Sequence, residues 1–156
     1  MVFISAKVLR HVPQHVPQHA PALKSLVLTA SAQVQAAGLT PFVAYQEIAQ
    51  RRMASAQEFM PFVRQKLLAC ELCLVMYHPE LRGGLIEMGM AYAAGIPIWL
   101  CCQPGEPVSS SARGCANLVL EYSDPLSLSH ALRQPLELFM KKRGVEEVPP
   151  PIPMQE

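Results

Sequence analysis

The sequence predicts a doubly wound α/β domain, a parallel sheet with helices on both faces. Three observations carry that expectation. Apolar runs of strand length recur along the chain, separated by stretches in which apolar residues return at helical spacing. One run, Leu72-Cys73-Leu74-Val75-Met76-Tyr77, is continuous, the pattern of a strand covered on both faces, as parallel sheets require. Glycine or proline marks most of the boundaries between these stretches.

Val2-Phe3-Ile4 opens the chain as a buried strand. Residues 6–20 follow as an irregular segment, because the tandem His11-Val-Pro-Gln and His15-Val-Pro-Gln places Pro13 and Pro17 where each removes an amide donor and clashes with a preceding turn. Pro21 suits a first helical turn. Leu23, Leu26, Val27, Ala30, Val34 and Ala37 then recur at helical spacing up to a stop signal at Gly38. Residues 41–45 read as a second strand. Residues 46–69 are helical in character with a break expected near Pro61, and Phe59, Phe62, Val63, Leu67 and Leu68 offer a core face. After the third strand, residues 72–77, a loop through Gly83-Gly84 leads into a helix over about residues 85–94, closed by Gly95. Residues 97–102 and 117–121 form the fourth and fifth strands. Asp124-Pro125 begins the last helix, with Asp as cap and Pro in the first turn. The domain is expected to span residues 1–143, and residues 144–156, with Pro149-Pro150-Pro151 and Pro153, to form an extended mobile tail.

A chain of 156 residues suits one compact domain. With 51% hydrophobic and 16% charged residues it can build a core without disulfides or metals. A net charge of +1 supplies no field that would draw it to a nucleic acid polymer or an anionic membrane. The basic run Lys141-Lys142-Arg143 reads as a solvated helix end. No apolar stretch approaches the ~18–20 residues that cross a bilayer, and no secretory pattern opens the sequence. Five cysteines, an odd number, fit reduced thiols and a cytoplasmic setting.

Right-handed crossovers favour a flavodoxin-like order, 2-1-3-4-5, for a five-stranded parallel sheet. Ligands of such sheets sit beyond the carboxyl ends of the strands, near the switch between strands 1 and 3. That rule points to residues 5–10, 45–50, 78–87 and 103–113. Glu87 is the chemical candidate among them. Gly83-Gly84 allows a tight turn and a close backbone approach to a ligand. Glu87 then falls in the first turn of the predicted helix, where the dipole and local amides would keep its carboxylate ionised. Such an acid can serve as a nucleophile, although complementing the helix dipole is the simpler role.

The pattern Gly84-Leu-Ile-Glu87-Met-Gly89-Met-Ala91-Tyr-Ala93-Ala-Gly95-Ile-Pro97, set between two apolar strands, resembles the nucleoside 2-deoxyribosyltransferase family, including the 2′-deoxynucleoside 5′-monophosphate N-glycosidases. The specific motif covers about residues 70–102, and the element order matches from Val2 to the last helix. The resemblance implies that Glu87 attacks the anomeric carbon, displaces the base and forms a glycosyl-enzyme ester, later resolved by a second base or by water. It also implies that Ser109, four residues before Arg113-Gly114, holds a 5′-phosphate in a neighbouring subunit's site. A homodimer or larger homo-oligomer follows, with Met88 and Tyr92 on a partner-facing helix surface. Arg82, Gly83 and Gly84 are expected to shape the sugar site, Arg113 to add charge beside the phosphate, and Ser5, Lys7 and Arg10 to supply further substrate contacts.

Two positions depart from the family pattern. Ser5-Ala6-Lys7 stands where a glycine-bearing loop is usual. Val63 falls where an aspartate would steer the glutamate or protonate the leaving base, and neither Glu58 nor Arg64 has the right spacing to replace it. Three functions are therefore distinguished. The first is cleavage or transfer of an N-glycosidic bond of a nucleoside or nucleotide through Glu87. The second is a non-catalytic nucleotide-binding module that has lost the second acid. The third is cleavage of the nicotinamide–ribose bond of a dinucleotide, whose cationic leaving group needs no proton. His11, His15 and His19 repeat every four residues, but the prolines forbid the helix that would stack them and no other ligand type accompanies them. No metal is expected, and the segment reads as a loop folding over the site, which would let one of its histidines replace the missing acid. Cys70-Glu-Leu-Cys73 has no second pair at zinc spacing, and Cys101-Cys102 lies on a predicted strand, so these thiols read as buried apolar side chains. No phosphate-cradling glycine motif or paired His-Glu motif is present, and no cofactor is expected.

Overall fold

The structure, a computed structural model, describes residues 1–6 and 20–146. Lys7, Arg10, the three N-terminal histidines and residues 147–156 of the expected tail lie outside the described residues. The elements run β1 (Val2–Ser5), α1 (Ala20–Ala36), β2 (Pro41–Val43), α2 (Ala44–Gln50), α3 (Ala56–Leu68), β3 (Leu72–Met76), α4 (Gly83–Ala93), β4 (Ile98–Cys102), α5 (Ser110–Cys115), β5 (Leu118–Glu121) and α6 (Pro125–Glu146). All pairings in the sheet are parallel and its order is β2-β1-β3-β4-β5. This is the doubly wound architecture expected from the strand and helix pattern.

Strand periodicity divides the core into two layers. Val2, Ile4, Leu72, Leu74, Met76, Trp99 and Cys101 pack against α1 and α6, where Val27, Ala30 and Val34 meet Leu128, Leu132 and Leu136. Phe3, Cys73, Val75, Ile98 and Leu100 face the other way, towards Val63 and Leu67 of α3, Met88 and Ala91 of α4 and Ala112 of α5. Leu23, Leu26, Val27, Ala30 and Val34 of the stripe read along α1 are buried, while Ala37 is half-buried just past its end. Leu68 is not part of the core: it is 46% exposed, because it lies one residue, about 100° of helical rotation, past the buried Leu67.

Several boundaries differ from the sequence expectation, and α6 runs to Glu146, three residues into the tail expected from residue 144. The second strand stops at Val43, and Ala44 and Tyr45 already belong to α2. The helical stretch breaks at residues 51–55 and not at Pro61. Arg52 has φ 53°, outside the helical region, and Ser55 then caps α3: its Oγ accepts from the Glu58 amide at 3.3 Å, while Glu58 Oε2 accepts from the Ala54 amide at 2.9 Å. This pair of bonds, close to a capping box but with Glu58 reaching the amide one residue before the cap, defines a new helix start. Pro61 remains inside α3, where it is exposed and its missing amide leaves only one carbonyl without an intrahelical donor. Finally, α4 begins at Gly83, two residues before the expected Leu85.

Asp124 caps α6 as expected: its Oδ1 accepts from the Ser127 amide at 2.7 Å, and that bond holds its carboxyl below the usual range. Among the described residues, no helix is long and apolar enough to cross a membrane.

Candidate active site

The site is built where β1 and α4 meet at the carboxyl edge of the sheet. Ser5 is the last residue of β1 and pairs in register with Val75 of β3. It lies on the same side of β1 as Phe3, so its hydroxyl points into the layer that contains α4. At 0% exposure it is the one fully buried polar side chain among the described residues. A buried hydroxyl needs a partner, and Ser5 Oγ donates to Glu87 Oε2.

Gly84 makes that contact possible. A Cβ built there would lie 2.6 Å from Leu81 Cδ1 and 2.7 Å from Ser5 Oγ, well inside contact distance. Gly84 and Glu87 are three residues apart on α4 and share one helix face. The bare backbone of Gly84 admits the serine, and Glu87 receives its hydrogen bond. Gly83 has open space around it, and Arg82, the N-cap of α4, is exposed and makes no side-chain capping bond.

The electrostatic state of Glu87 differs from the sequence expectation. Because α4 starts at Gly83, Glu87 is its fifth residue and lies beyond the first turn, where the helix dipole acts most strongly. Burial dominates and pushes its carboxyl up from 4.5 to about 7, while the Ser5 hydrogen bond pulls in the opposite direction. The side chain as a whole keeps partial solvent access. Desolvation disfavours the charged form, and the hydroxyl favours it. Such a group is poised between its acid and base forms near neutrality.

The aspartate expected by family resemblance has no counterpart at Val63, which is 1% exposed and embedded among Phe3, Phe42, Ala44 and Leu67. Glu58 is occupied by the α3 cap and is exposed, as is Arg64. Ser109 is the N-cap of the six-residue helix α5, with its Oγ accepting from the Ala112 amide at 3.2 Å. Arg113 sits in the last turn of α5, exposed, and its charge reaches Cys102 at the end of β4. The structure thus brings Ser5, Gly84 and Glu87 together, places Arg82 and Gly83 just above them on the same helix start, and sets Ser109 and Arg113 on the neighbouring α5.

A cleft of about 240 Å³ opens at the same sheet edge but on the α1 face, lined by Leu23, Leu26, Tyr77, His78, Gln103, Glu106 and Tyr122. Glu87 is not in its lining. His78 Nδ1 accepts from the Glu80 amide at 3.1 Å, and the Tyr77 hydroxyl donates to the Pro107 carbonyl at 3.3 Å. Of these, His78, Gln103 and Glu106 fall in the stretches that the strand-end rule points to, whereas Leu23 and Leu26 come from α1 and Tyr77 and Tyr122 lie just outside those stretches. A larger groove of about 860 Å³ lies at the amino ends of β3, β4 and β5 beside α6, at the opposite pole from Glu87.

The thiols are structural. Cys70, Cys73, Cys101 and Cys102 are buried and unpaired, and burial pushes Cys70 up to about 11 and Cys101 up to about 12. A thiol held protonated is a poor nucleophile and a poor metal ligand. Among the described residues, no group of three or more His, Cys, Asp and Glu side chains could hold a metal ion. The expected partner-facing pair on α4 divides: Met88 is 2% exposed and belongs to the core, whereas Tyr92 is 60% exposed. The exposed large hydrophobic residues of α4 are Leu85, Ile86 and Tyr92.

No family model and no curated protein matches the chain. Solved structures do. The chain is similar to the CMP N-glycosidase BcmB of Clostridium botulinum, at 17% identity and a TM-score of 0.63, over 88% of this chain and 98% of that one. It is also similar to a 2-deoxyribosyltransferase of the psychrotolerant Bacillus psychrosaccharolyticus, at 14% identity and a TM-score of 0.61, over 86% and 94%. BlsM, seen in solution, matches at 15% identity and a TM-score of 0.64, over 96% of both chains. The five-stranded 2-1-3-4-5 fold is the one these proteins share.

Proposed function

We propose that the protein cleaves or transfers the N-glycosidic bond of a nucleoside or nucleotide, with Glu87 as nucleophile. The observation that carries this reading is the Glu87 carboxyl itself. It is largely desolvated, held by a buried hydroxyl, and set at the switch between β1 and β3 where ligands of this fold class bind. The likeness to an N-glycosidase and a deoxyribosyltransferase supports the same reaction class.

In that reaction an ionised Glu87 oxygen attacks the anomeric carbon. The carbon–nitrogen bond breaks, its electron pair leaves with the base, and a glycosyl ester forms. A second base or water then attacks the same carbon and returns the carboxylate. Arg82, Gly83 and Gly84 border the sugar, while Ser109 and Arg113, with Lys7 and Arg10, serve the anionic end of a nucleotide. Exposed Leu85, Ile86 and Tyr92 on α4 favour assembly as a homo-oligomer. With Val63 buried in the core, no acid at that position protonates the departing base. A leaving group that is already cationic, such as the nicotinamide of NAD, needs none, so dinucleotides belong among the test substrates.

The same burial of Val63 and the use of Glu58 as a helix cap favour a second reading, a nucleotide-binding module without turnover. One experiment separates them. Wild type and Glu87→Ala are incubated with nucleosides, 5′-monophosphates and NAD, and released base is measured by chromatography. The enzyme reading expects release by wild type and a loss of at least about 1000-fold in Glu87→Ala, the usual scale for removing a nucleophile. Release that survives the substitution removes Glu87 from the mechanism. No release, with the same compounds raising the melting temperature, replaces the enzyme by the binding module.

A further inference from the structure

We infer that Ser5 is a positioning residue for Glu87: its hydroxyl engages one carboxyl oxygen, Oε2, fixes the rotation of the carboxyl plane, and leaves Oε1 as the oxygen presented to the sugar carbon. This deepens the proposed function and rests on it. Three observations converge. Ser5 is fully buried at the end of β1, and its hydroxyl is bonded to Glu87. The room for that hydroxyl exists because residue 84 lacks a side chain, since a Cβ there would lie 2.7 Å from Ser5 Oγ. Leu81, 2% exposed, closes the other side of the same gap. Ser5 is therefore clamped between the backbone of α4 and the carboxyl it serves.

Among the described residues, Ser5 is the side chain whose hydrogen bond acts on the Glu87 carboxyl. Around the carboxyl, β1 contributes Ser5, and β3 contributes the Cys73 thiol, which burial and the Glu87 charge hold protonated. Val63 of α3, Leu100 of β4 and Ala112 of α5 are apolar residues of the same buried layer. A carboxylate that must approach a carbon atom gains rate from being held in one orientation, and a neutral donor can hold it without taking over its charge. A hydroxyl also stabilises the ionised form against burial, so the same contact sets the fraction of Glu87 that is ready to attack.

The test uses the full chain with ¹³C-labelled glutamate, and the Glu87 carboxyl resonance is identified by its loss in Glu87→Gln. In Ser5→Ala the titration midpoint of Glu87 moves to higher pH. Ser5→Cys, similar in size but a weak donor, moves it the same way and guards against a packing defect in the alanine variant. In the base-release assay the kcat of Ser5→Ala falls about 10- to 100-fold, the worth of a hydrogen bond to a charged group, with KM little changed. The rising limb of its pH profile shifts with the midpoint. An unchanged midpoint in both variants overturns the inference, as does an unchanged kcat with a raised KM, which would make Ser5 a substrate contact. A shifted midpoint without base release from any compound in wild type supports the hold on the carboxyl and overturns the reaction assigned to it.

Discussion

Glu87→Gln is expected to be more stable than wild type at pH 8 to 9 by about 3 kcal/mol, and nearly equal to it at pH 4. The sign follows from linkage. The carboxyl stands at about 7 in the folded protein against 4.5 when unperturbed, so between these values the folded state binds more protons than the unfolded state. Stability from this group is fully present below pH 4.5 and is lost as pH rises through 7. A difference of about 2.5 pH units at 1.36 kcal/mol each gives the stated magnitude, roughly 6–12 °C in Tm for a chain of this size. Glutamine cannot ionise, yet it still offers an oxygen to the Ser5 hydroxyl. Thermal melts of both proteins across pH 4 to 9 check this. Parallel Tm curves, with no divergence above neutrality, would mean that Glu87 is not desolvated in the fold. The stabilised variant is also the inactive one, as expected where a site holds a strained or buried charge for function.

Gly84→Ala is expected to destabilise the protein by about 1–3 kcal/mol, the cost of forcing a methyl into a filled core. The atoms it meets are Leu81 Cδ1 at 2.6 Å and Ser5 Oγ at 2.7 Å. Neither can swing away, because both side chains are buried. Relief requires α4 to withdraw from β1, which parts Glu87 from Ser5, so activity falls with stability. Gly89→Ala is the control on the same helix: a Cβ there meets nothing within 4 Å, and replacing a helical glycine gains roughly 0.5–1 kcal/mol. Urea denaturation of the two variants should therefore move in opposite directions. Equal stability of the two would show that α4 does not press on β1 at Gly84.

The fold was legible because its signals are local. Continuous apolar runs such as residues 72–77, and the stripe from Leu23 to Val34, each identify an element without knowledge of its neighbours. Boundaries were harder where two local signals compete. Ala44 and Tyr45 extend an apolar run and so resemble strand, but the chain has already turned into α2. Pro61 is the stronger local breaker, yet the break lies at Arg52 and at the cap formed by Ser55 and Glu58. That capping pair, Ser followed three residues later by Glu, was itself readable in the sequence.

At the site, Glu87 could be picked out by its place in a motif, but its protonation state could not. Two adjacent glycines discourage a helical reading, so the helix was expected to start at Leu85 and to place Glu87 under the dipole. With α4 starting at Gly83, the carboxyl moves past the first turn and burial governs it. Ser5 looked like a substrate contact because it ends a strand. Only the three-dimensional approach of α4, permitted by Gly84, turns it towards Glu87. Long-range contacts of this kind, 82 residues apart in sequence, leave no periodic trace. Lys7 and Arg10 stay as sequence expectations, since they lie outside the described residues.

Covalent bonding of Glu87 to the sugar is read out by the stereochemistry of transfer. A substrate found by base release is turned over in the presence of methanol, and the anomeric configuration of the methyl glycoside is read by NMR. Two successive displacements at one carbon, the first by Glu87, give a product with the configuration of the substrate. Retained configuration, absent from Glu87→Ala, is the predicted result. An inverted methyl glycoside would mean that methanol attacks the anomeric carbon directly, and would contradict the account of Glu87 as nucleophile.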